Sequence, residues 1–120
     1  ATKFNGTRYI QQRMAEAAYS DEGIRQCREN IAAYQKNAKL ISDALTEMGV
    51  YHTGGVNSPY IWLKCGTDSW DFFDRLLEGA NVVGTPGSGF GKNGEGYFRL
   101  TAFNTYEKTK EAIERIKKVL

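Results

Sequence analysis

A long stretch of apolar residues at helical spacing constrains this chain more than any other feature. The apolar positions alternate at intervals of three and four residues without a break: Ile24, Cys27, Ile31, Tyr34, Ala38, Ile41, Leu45 and Met48. This period predicts a single amphipathic helix. Ser20 offers an N-cap before the helix, and Gly49 offers the residue at which it ends.

The length of this predicted helix exceeds what its own domain can cover. About 28 residues at 1.5 Å each extend roughly 42 Å. A compact domain of 120 residues is roughly 35 Å across. Part of the apolar seam therefore needs a partner that this chain does not supply. A coiled coil is the alternative, but the flanking positions carry no complementary charges: Arg28, Asn30, Gln35, Asn37, Ser42 and Ala44.

The remaining pattern predicts an α+β fold within one domain, residues 1–120. A shorter helix precedes the long one, with Thr7 as its cap. Strands are predicted over residues 50–52, 59–64, 82–83 and 97–103. Ser69 is the predicted cap of a helix over residues 70–79, and a capping box of Asn104 and Glu107 begins the last helix. This order indicates a small mixed or antiparallel sheet with helices packed on one side.

Composition and charge exclude several classes of protein. Hydrophobic residues make up 41% and charged residues 25% of the chain, as in soluble globular proteins. The formal net charge of +2 is too small to require a nucleic-acid partner. No apolar run approaches the roughly 20 residues that cross a bilayer. Cys27 and Cys65 lack further metal ligands at suitable spacing, so we expect free thiols in the cytoplasm and no metal.

Residues 84–96 form a loop rich in glycine. Gly89, Gly91 and Gly94 match the spacing of a dinucleotide fingerprint, but that motif needs a following helix, and a strand is predicted here. Asn93 stands where a P-loop has Ser or Thr. We therefore interpret the segment as a glycine-rich crossover loop. Glycines allow its backbone to take positive φ or to approach a ligand or another chain closely.

Arg99 is the candidate binding residue of the following strand. Alternation places Phe98, Leu100 and Ala102 on the core face and Tyr97, Arg99 and Thr101 on the other. A guanidinium held on a rigid strand suits bidentate capture of a carboxylate. An ordinary surface arginine remains the alternative from the strand pattern alone.

These residues carry a resemblance to a known family. Residues 82–91 (VVGTPGSGFG) and 94–103 (GEGYFRLTAF) closely resemble the C-terminal region of LL-diaminopimelate aminotransferases. Shorter matches follow the same order at residues 3–7 (KFNGT), 57–62 (NSPYIW) and 69–73 (SWDFF). The resemblance implies the small domain of a fold-type I enzyme that uses pyridoxal 5'-phosphate and works as a homodimer.

The resemblance also implies an activity and two site residues. The activity is transfer of an amino group between LL-2,6-diaminopimelate and 2-oxoglutarate, a step towards lysine. Arg99 would bind the α-carboxylate of the amino acid or 2-oxo acid substrate. Asn5 would contact cofactor and substrate, from its own or the partner subunit.

The Schiff-base lysine of this family lies in a Ser-x-Ser-Lys segment that would precede Ala1. Lys3 is the nearest lysine but lacks that motif, so we expect it to be solvated. The large cofactor-binding domain is likewise absent, and its place would be in the same polypeptide. We therefore expect no catalytic residue in this chain and no activity from it alone.

Two other interpretations remain open. One is a different class I or II aminotransferase, with aspartate or an aromatic amino acid as donor. The other is a stand-alone RNA-binding α+β module, because residues 96–99 with Phe103 resemble an aromatic RNA-binding strand.

Overall fold

A computed structural model describes residues 6–120, so Asn5 and Lys3 lie outside the described part of the chain. The chain divides into two compact units, one ending at Ala32 and the other spanning Ala33–Leu120. No helix in the described part is long and apolar enough to cross a membrane.

The first unit contains helix α1 (Tyr9–Ala18) and the first turns of helix α2 (Asp21–Glu47). The predicted Thr7 cap is wrong: Arg8 precedes α1 without a capping side chain, and the Thr7 carbonyl accepts from Gln12. The predicted Ser20 cap of α2 is confirmed, because its Oγ accepts from the Gly23 amide at 3.1 Å.

Helix α2 is confirmed as one continuous helix of 27 residues. Its buried residues all belong to the second half: Asn37, Ala38, Ile41, Ala44 and Leu45. Ile31, in the first half of the same seam, is 54% exposed. The described residues thus leave the first half of the seam uncovered, as its length predicts.

Four antiparallel strands form the sheet in the described chain: β1 (His52–Gly54), β2 (Tyr60–Lys64), β3 (Thr85–Pro86) and β4 (Tyr97–Thr101). Their order is β1-β2-β4-β3. Thr85 pairs with Arg99 on one side of β4, and Trp62 pairs with Arg99 on the other. The predicted antiparallel sheet is confirmed.

The predicted strand at 50–52 begins too early and the one at 82–83 is wrong, for one shared reason. Each valine lies directly after the left-handed residue that ends a helix, Gly49 (φ 70°) or Asn81 (φ 50°). Val50 donates to the Leu45 carbonyl and Val82 to the Leu76 carbonyl, so both amides complete the helix ends. The strands start only after these turns.

The core lies between one face of the sheet and helices α2, α3 (Ser69–Ala80) and α4 (Tyr106–Ile116). The sheet contributes Ile61, Leu63, Phe98 and Leu100, each at most 6% exposed. Phe98 packs edge-on against Phe72 of α3, with ring centroids 5.1 Å apart. The predicted core face of β4 is therefore confirmed, and Arg99 lies on the opposite face.

The caps of α3 and α4 differ from prediction by one residue each. Asp68 caps α3, and its Oδ1 accepts from the Trp70 amide at 2.8 Å. Thr105 caps α4, and its Oγ1 accepts from the Lys108 amide at 3.3 Å. The predicted Ser69 cap and the capping box of Asn104 with Glu107 are wrong.

Removing the Asp68 cap should loosen the first turn of α3. We expect Asp68→Ala to cost about 1 kcal/mol, which raises the opening equilibrium of that turn about fivefold. Hydrogen exchange of α3 in the full-length protein measures this. Asp74→Ala, which changes an exposed residue of the same helix, should leave the exchange unchanged. Equal effects of the two substitutions would contradict the assignment of Asp68 as the cap.

Candidate functional site

Arg99 lies at the centre of the sheet, on the face that the helices do not cover. Strand β4 is hydrogen-bonded on both sides, to β2 and to β3, so the backbone at Arg99 is held firmly. The side chain is half-buried. A rigid strand thus directs the guanidinium, as the sequence pattern predicts.

Two aromatic rings lie against the guanidinium of Arg99. The ring centroids of Tyr60 and Phe90 are each 4.7 Å from its Cζ. Tyr60 begins β2, and Phe90 ends a short 3-10 turn, Gly87–Phe90, in the glycine-rich loop. In a cation–π contact the charged group lies against the face of an aromatic ring. The N–H donors of a guanidinium lie in its plane and point outward from its edges.

Those N–H groups have little to bond within the described chain. Nη2 lies 3.5 Å from the Thr85 hydroxyl, at the limit of a hydrogen bond, and the buried Nε has no acceptor. No carboxylate of residues 6–120 forms an ion pair with Arg99. An unsatisfied buried donor costs roughly 1–3 kcal/mol.

Other arginines of the chain show the contrast. Arg115 donates to Glu111 at 2.8 Å, and Arg25 donates to Glu22 at 2.6 Å. These are helix pairs with partners one turn away. Arg115 is also half-buried and its Nε is likewise buried without an acceptor, but its Nη1 bonds the Glu111 carboxylate. Arg99 differs by its two aromatic contacts and by having no acidic partner among residues 6–120. This arrangement distinguishes it from the surface arginine that the strand pattern alone left open.

An aromatic layer surrounds Arg99 on this face of the sheet. Trp62 stacks on Tyr97, with centroids 5.6 Å apart and planes 11° apart, and meets Phe90 edge-on at 5.6 Å. The layer reduces the water around the guanidinium, and attraction to an anion strengthens as the local dielectric falls. Sequence reasoning missed Tyr60 and Phe90 as neighbours of Arg99. Tyr60 could have been found from its spacing: it lies two residues before Trp62 in one strand, so both side chains point to the outer face.

The glycine-rich loop packs against itself. A Cβ at Gly87 would lie 1.9 Å from the Gly94 carbonyl oxygen, and a Cβ at Gly94 would lie 2.0 Å from that of Gly87. Gly91 and Gly96 take positive φ, 110° and 78°. The predicted uses of glycine, positive φ and close approach, are both present, and the approach is between two parts of the loop. A strand follows the loop, as predicted, but the crossover interpretation is wrong: residues 85–86 form β3, and the loop joins β3 to its antiparallel neighbour β4.

Lys117 is poorly suited to hold pyridoxal 5'-phosphate as a Schiff base. A Schiff-base lysine must lose its proton to attack a carbonyl. Glu47 accepts from Lys117 at 2.8 Å and raises the pKa of its ammonium, which opposes that role. Burial raises the pKa of the Cys65 thiol to about 11, so it stays protonated at neutral pH. Residues 6–120 also contain no cluster suited to a metal ion.

Comparisons with known proteins identify the family to which this chain is similar. Residues 2–116 match the family model for aminotransferase class I and II. The LL-diaminopimelate aminotransferase of Agathobacter rectalis is 62% identical over 118 residues, which are 97% of this chain and 29% of that protein. That of Lawsonia intracellularis is 56% identical over 121 residues, 99% of this chain and 30% of the relative.

A solved structure of an aminotransferase also matches this chain. The L,L-diaminopimelate aminotransferase from Chlamydomonas reinhardtii matches with a TM-score of 0.92 and 42% identity, over 98% of this chain and 29% of its own. The chain therefore spans about 30% of the length of the relatives it matches.

Proposed function

The chain belongs to the class I and II aminotransferases, and we propose that it is the C-terminal, substrate-binding domain of an LL-diaminopimelate aminotransferase. The proposed reaction transfers an amino group between LL-2,6-diaminopimelate and 2-oxoglutarate, a step towards lysine. Because the chain spans about 30% of its relatives, this activity belongs to the full-length protein.

The observation that carries this proposal is the environment of Arg99. Its guanidinium lies against Tyr60 and Phe90 and has no carboxylate partner among residues 6–120. Two parallel N–H donors at the edge of a guanidinium match the two oxygens of a carboxylate. Amino acid and 2-oxo acid both carry an α-carboxylate. One arginine therefore orients the donor in the first half of the reaction and the acceptor in the second.

The family implies pyridoxal 5'-phosphate as the cofactor, which when bound supplies an electron sink for the bonds at the substrate α-carbon. We assign its binding to the remainder of the polypeptide, because the family's Ser-x-Ser-Lys segment, which carries the Schiff-base lysine, has no match in residues 1–120. Asn5 contacts cofactor and substrate in this proposal, on the strength of the family match at residues 3–7. The complete enzyme is proposed to be a cytoplasmic homodimer.

The proposal predicts the amino donor of the full-length protein. With 2-oxoglutarate as acceptor, we expect kcat/KM for LL-diaminopimelate to exceed that for aspartate or tyrosine by at least about 100-fold, as for sites that pair a polar substrate group. Steady-state kinetics with the three donors measures this. A higher kcat/KM for aspartate or tyrosine would identify the protein as a different class I or II aminotransferase. Tight binding to single-stranded RNA at moderate salt, without transamination, would favour the binding-module interpretation instead.

A further inference from the structure

Glu95, at the end of the glycine-rich loop, bonds the start of helix α3. Its Oε1 accepts from the Ser69 amide at 2.7 Å and from the Gly96 amide at 3.0 Å. Ser69 is the first residue of α3 and is completely buried. A carboxylate is favoured at this position, because the free amides of a helix N-terminus carry partial positive charge. Glu95 thereby connects the loop to an element 26 residues earlier.

A second set of bonds continues from Ser69 to Ser88. The Ser69 Oγ lies 3.2 Å from Oε2 of Glu95 and 2.9 Å from the Ser88 Oγ. Ser69 has one hydroxyl proton, and an ionised carboxylate only accepts. The proton of Ser69 therefore points to Glu95, and the hydroxyl of Ser88 donates to Ser69. The Ser88 amide, 3.4 Å from the same Oγ, adds a second donor.

This series of hydrogen bonds ends at Ser88, close to Phe90, whose ring lies against Arg99. Ser88 and Phe90 belong to the same 3-10 turn, Gly87–Phe90. The ring of Phe90 lies 4.7 Å from Cζ of Arg99. A turn of four residues is short enough that holding Ser88 limits where Phe90 can go.

We propose that Glu95 is a positioning residue for substrate binding. Through Ser69 and Ser88 it fixes the turn that holds Phe90 over the guanidinium of Arg99, and so sets the orientation in which Arg99 receives the substrate carboxylate. Glu95 does not itself touch the substrate. This inference rests on the proposed function, since it requires that Arg99 bind a carboxylate.

The first test compares variants of the full-length holoenzyme. Glu95→Gln keeps the size of the side chain but loses the second acceptor oxygen, and Ser88→Ala cuts the network at its other end. Each should raise the KM for LL-diaminopimelate and the inhibition constant of glutarate, an unreactive dicarboxylate, by about tenfold, while kcat changes less than about threefold. Glu78→Gln, an exposed glutamate on α3, is the matched control and should change neither constant.

A double-mutant cycle separates positioning from general stabilisation. In a Phe90→Leu background, Glu95→Gln should raise the inhibition constant of glutarate by less than about twofold, because its route to Arg99 is already removed. A tenfold effect in both backgrounds would overturn the inference. If Glu95→Gln does not fold, Ser88→Ala with Phe90→Leu gives the same comparison.

The outcomes also distinguish this inference from the proposed function. If Arg99→Ala abolishes glutarate binding while Glu95→Gln and Ser88→Ala behave like Glu78→Gln, only the positioning role fails. If Arg99→Ala leaves glutarate binding unchanged, the proposed carboxylate site fails, and the positioning role fails with it.

Discussion

Arg99→Ala in the full-length enzyme is expected to lower kcat/KM for LL-diaminopimelate about 30- to 1000-fold, or roughly 2–4 kcal/mol. The substitution removes two charge-assisted hydrogen bonds to the α-carboxylate. It also leaves the faces of Tyr60 and Phe90 without the cation they contact. Because donor and acceptor share the α-carboxylate, kcat/KM for 2-oxoglutarate should fall by a similar factor.

Two further variants sharpen this prediction. Arg99→Lys keeps the positive charge but loses the planar pair of N–H donors. Its kcat/KM should therefore lie between that of Arg99→Ala and that of the unchanged enzyme. Arg115→Ala removes an arginine of the same unit that already pairs with Glu111, and it should change kcat/KM less than about threefold. A loss below threefold for Arg99→Ala, measured by steady-state kinetics, would refute the carboxylate role.

The parts of the fold that the sequence predicted correctly depend on long, regular patterns. Helix α2 carries seven of the eight apolar positions at helical spacing, and Met48 follows directly after its last residue. The alternation along β4 likewise predicted which face carries Phe98 and which carries Arg99. In both cases the regular spacing of apolar residues identifies the face of the element that can be buried.

The errors occur where two neighbouring residues have similar local propensities for the same structural role. Asp68 and Ser69 are both good helix caps, and only a contact from far along the chain decides between them. Glu95 takes the amide and hydroxyl of Ser69, so Asp68 provides the cap. The early strand predictions at Val50 and Val82 failed similarly, because β propensity did not reveal that these amides complete helix ends.

The surroundings of Arg99 could not be predicted for the same physical reason. Tyr60, Thr85 and Phe90 come from three separate segments, and the register of the sheet and the path of the loop bring them to Arg99. The sequence predicted that Arg99 lies on the outer face of β4, and its binding role stays a prediction. Tertiary structure determines what holds Arg99, and in the glycine-rich loop that structure includes the close approach of Gly87 and Gly94.

Gly87→Ala should therefore have a large effect on both stability and binding. The new Cβ would lie 1.9 Å from the Gly94 carbonyl oxygen and 2.5 Å from that of Tyr97. Both are backbone atoms, so relief requires the loop to separate from itself or from the start of β4. We expect a cost of about 3 kcal/mol, the upper part of the range for overpacking. The turn that carries Phe90 begins at this residue and would be displaced.

Gly89→Ala is the matched control, two residues further in the same turn. A Cβ there meets nothing within 4 Å, so stability should change by less than about 0.5 kcal/mol. Hydrogen exchange of the loop and β4 in the full-length protein should accelerate about 100-fold in Gly87→Ala and remain unchanged in Gly89→Ala. The inhibition constant of glutarate should rise at least about tenfold in the first variant only. Similar behaviour of the two variants would show that the close approach of Gly87 and Gly94 does not hold the site together.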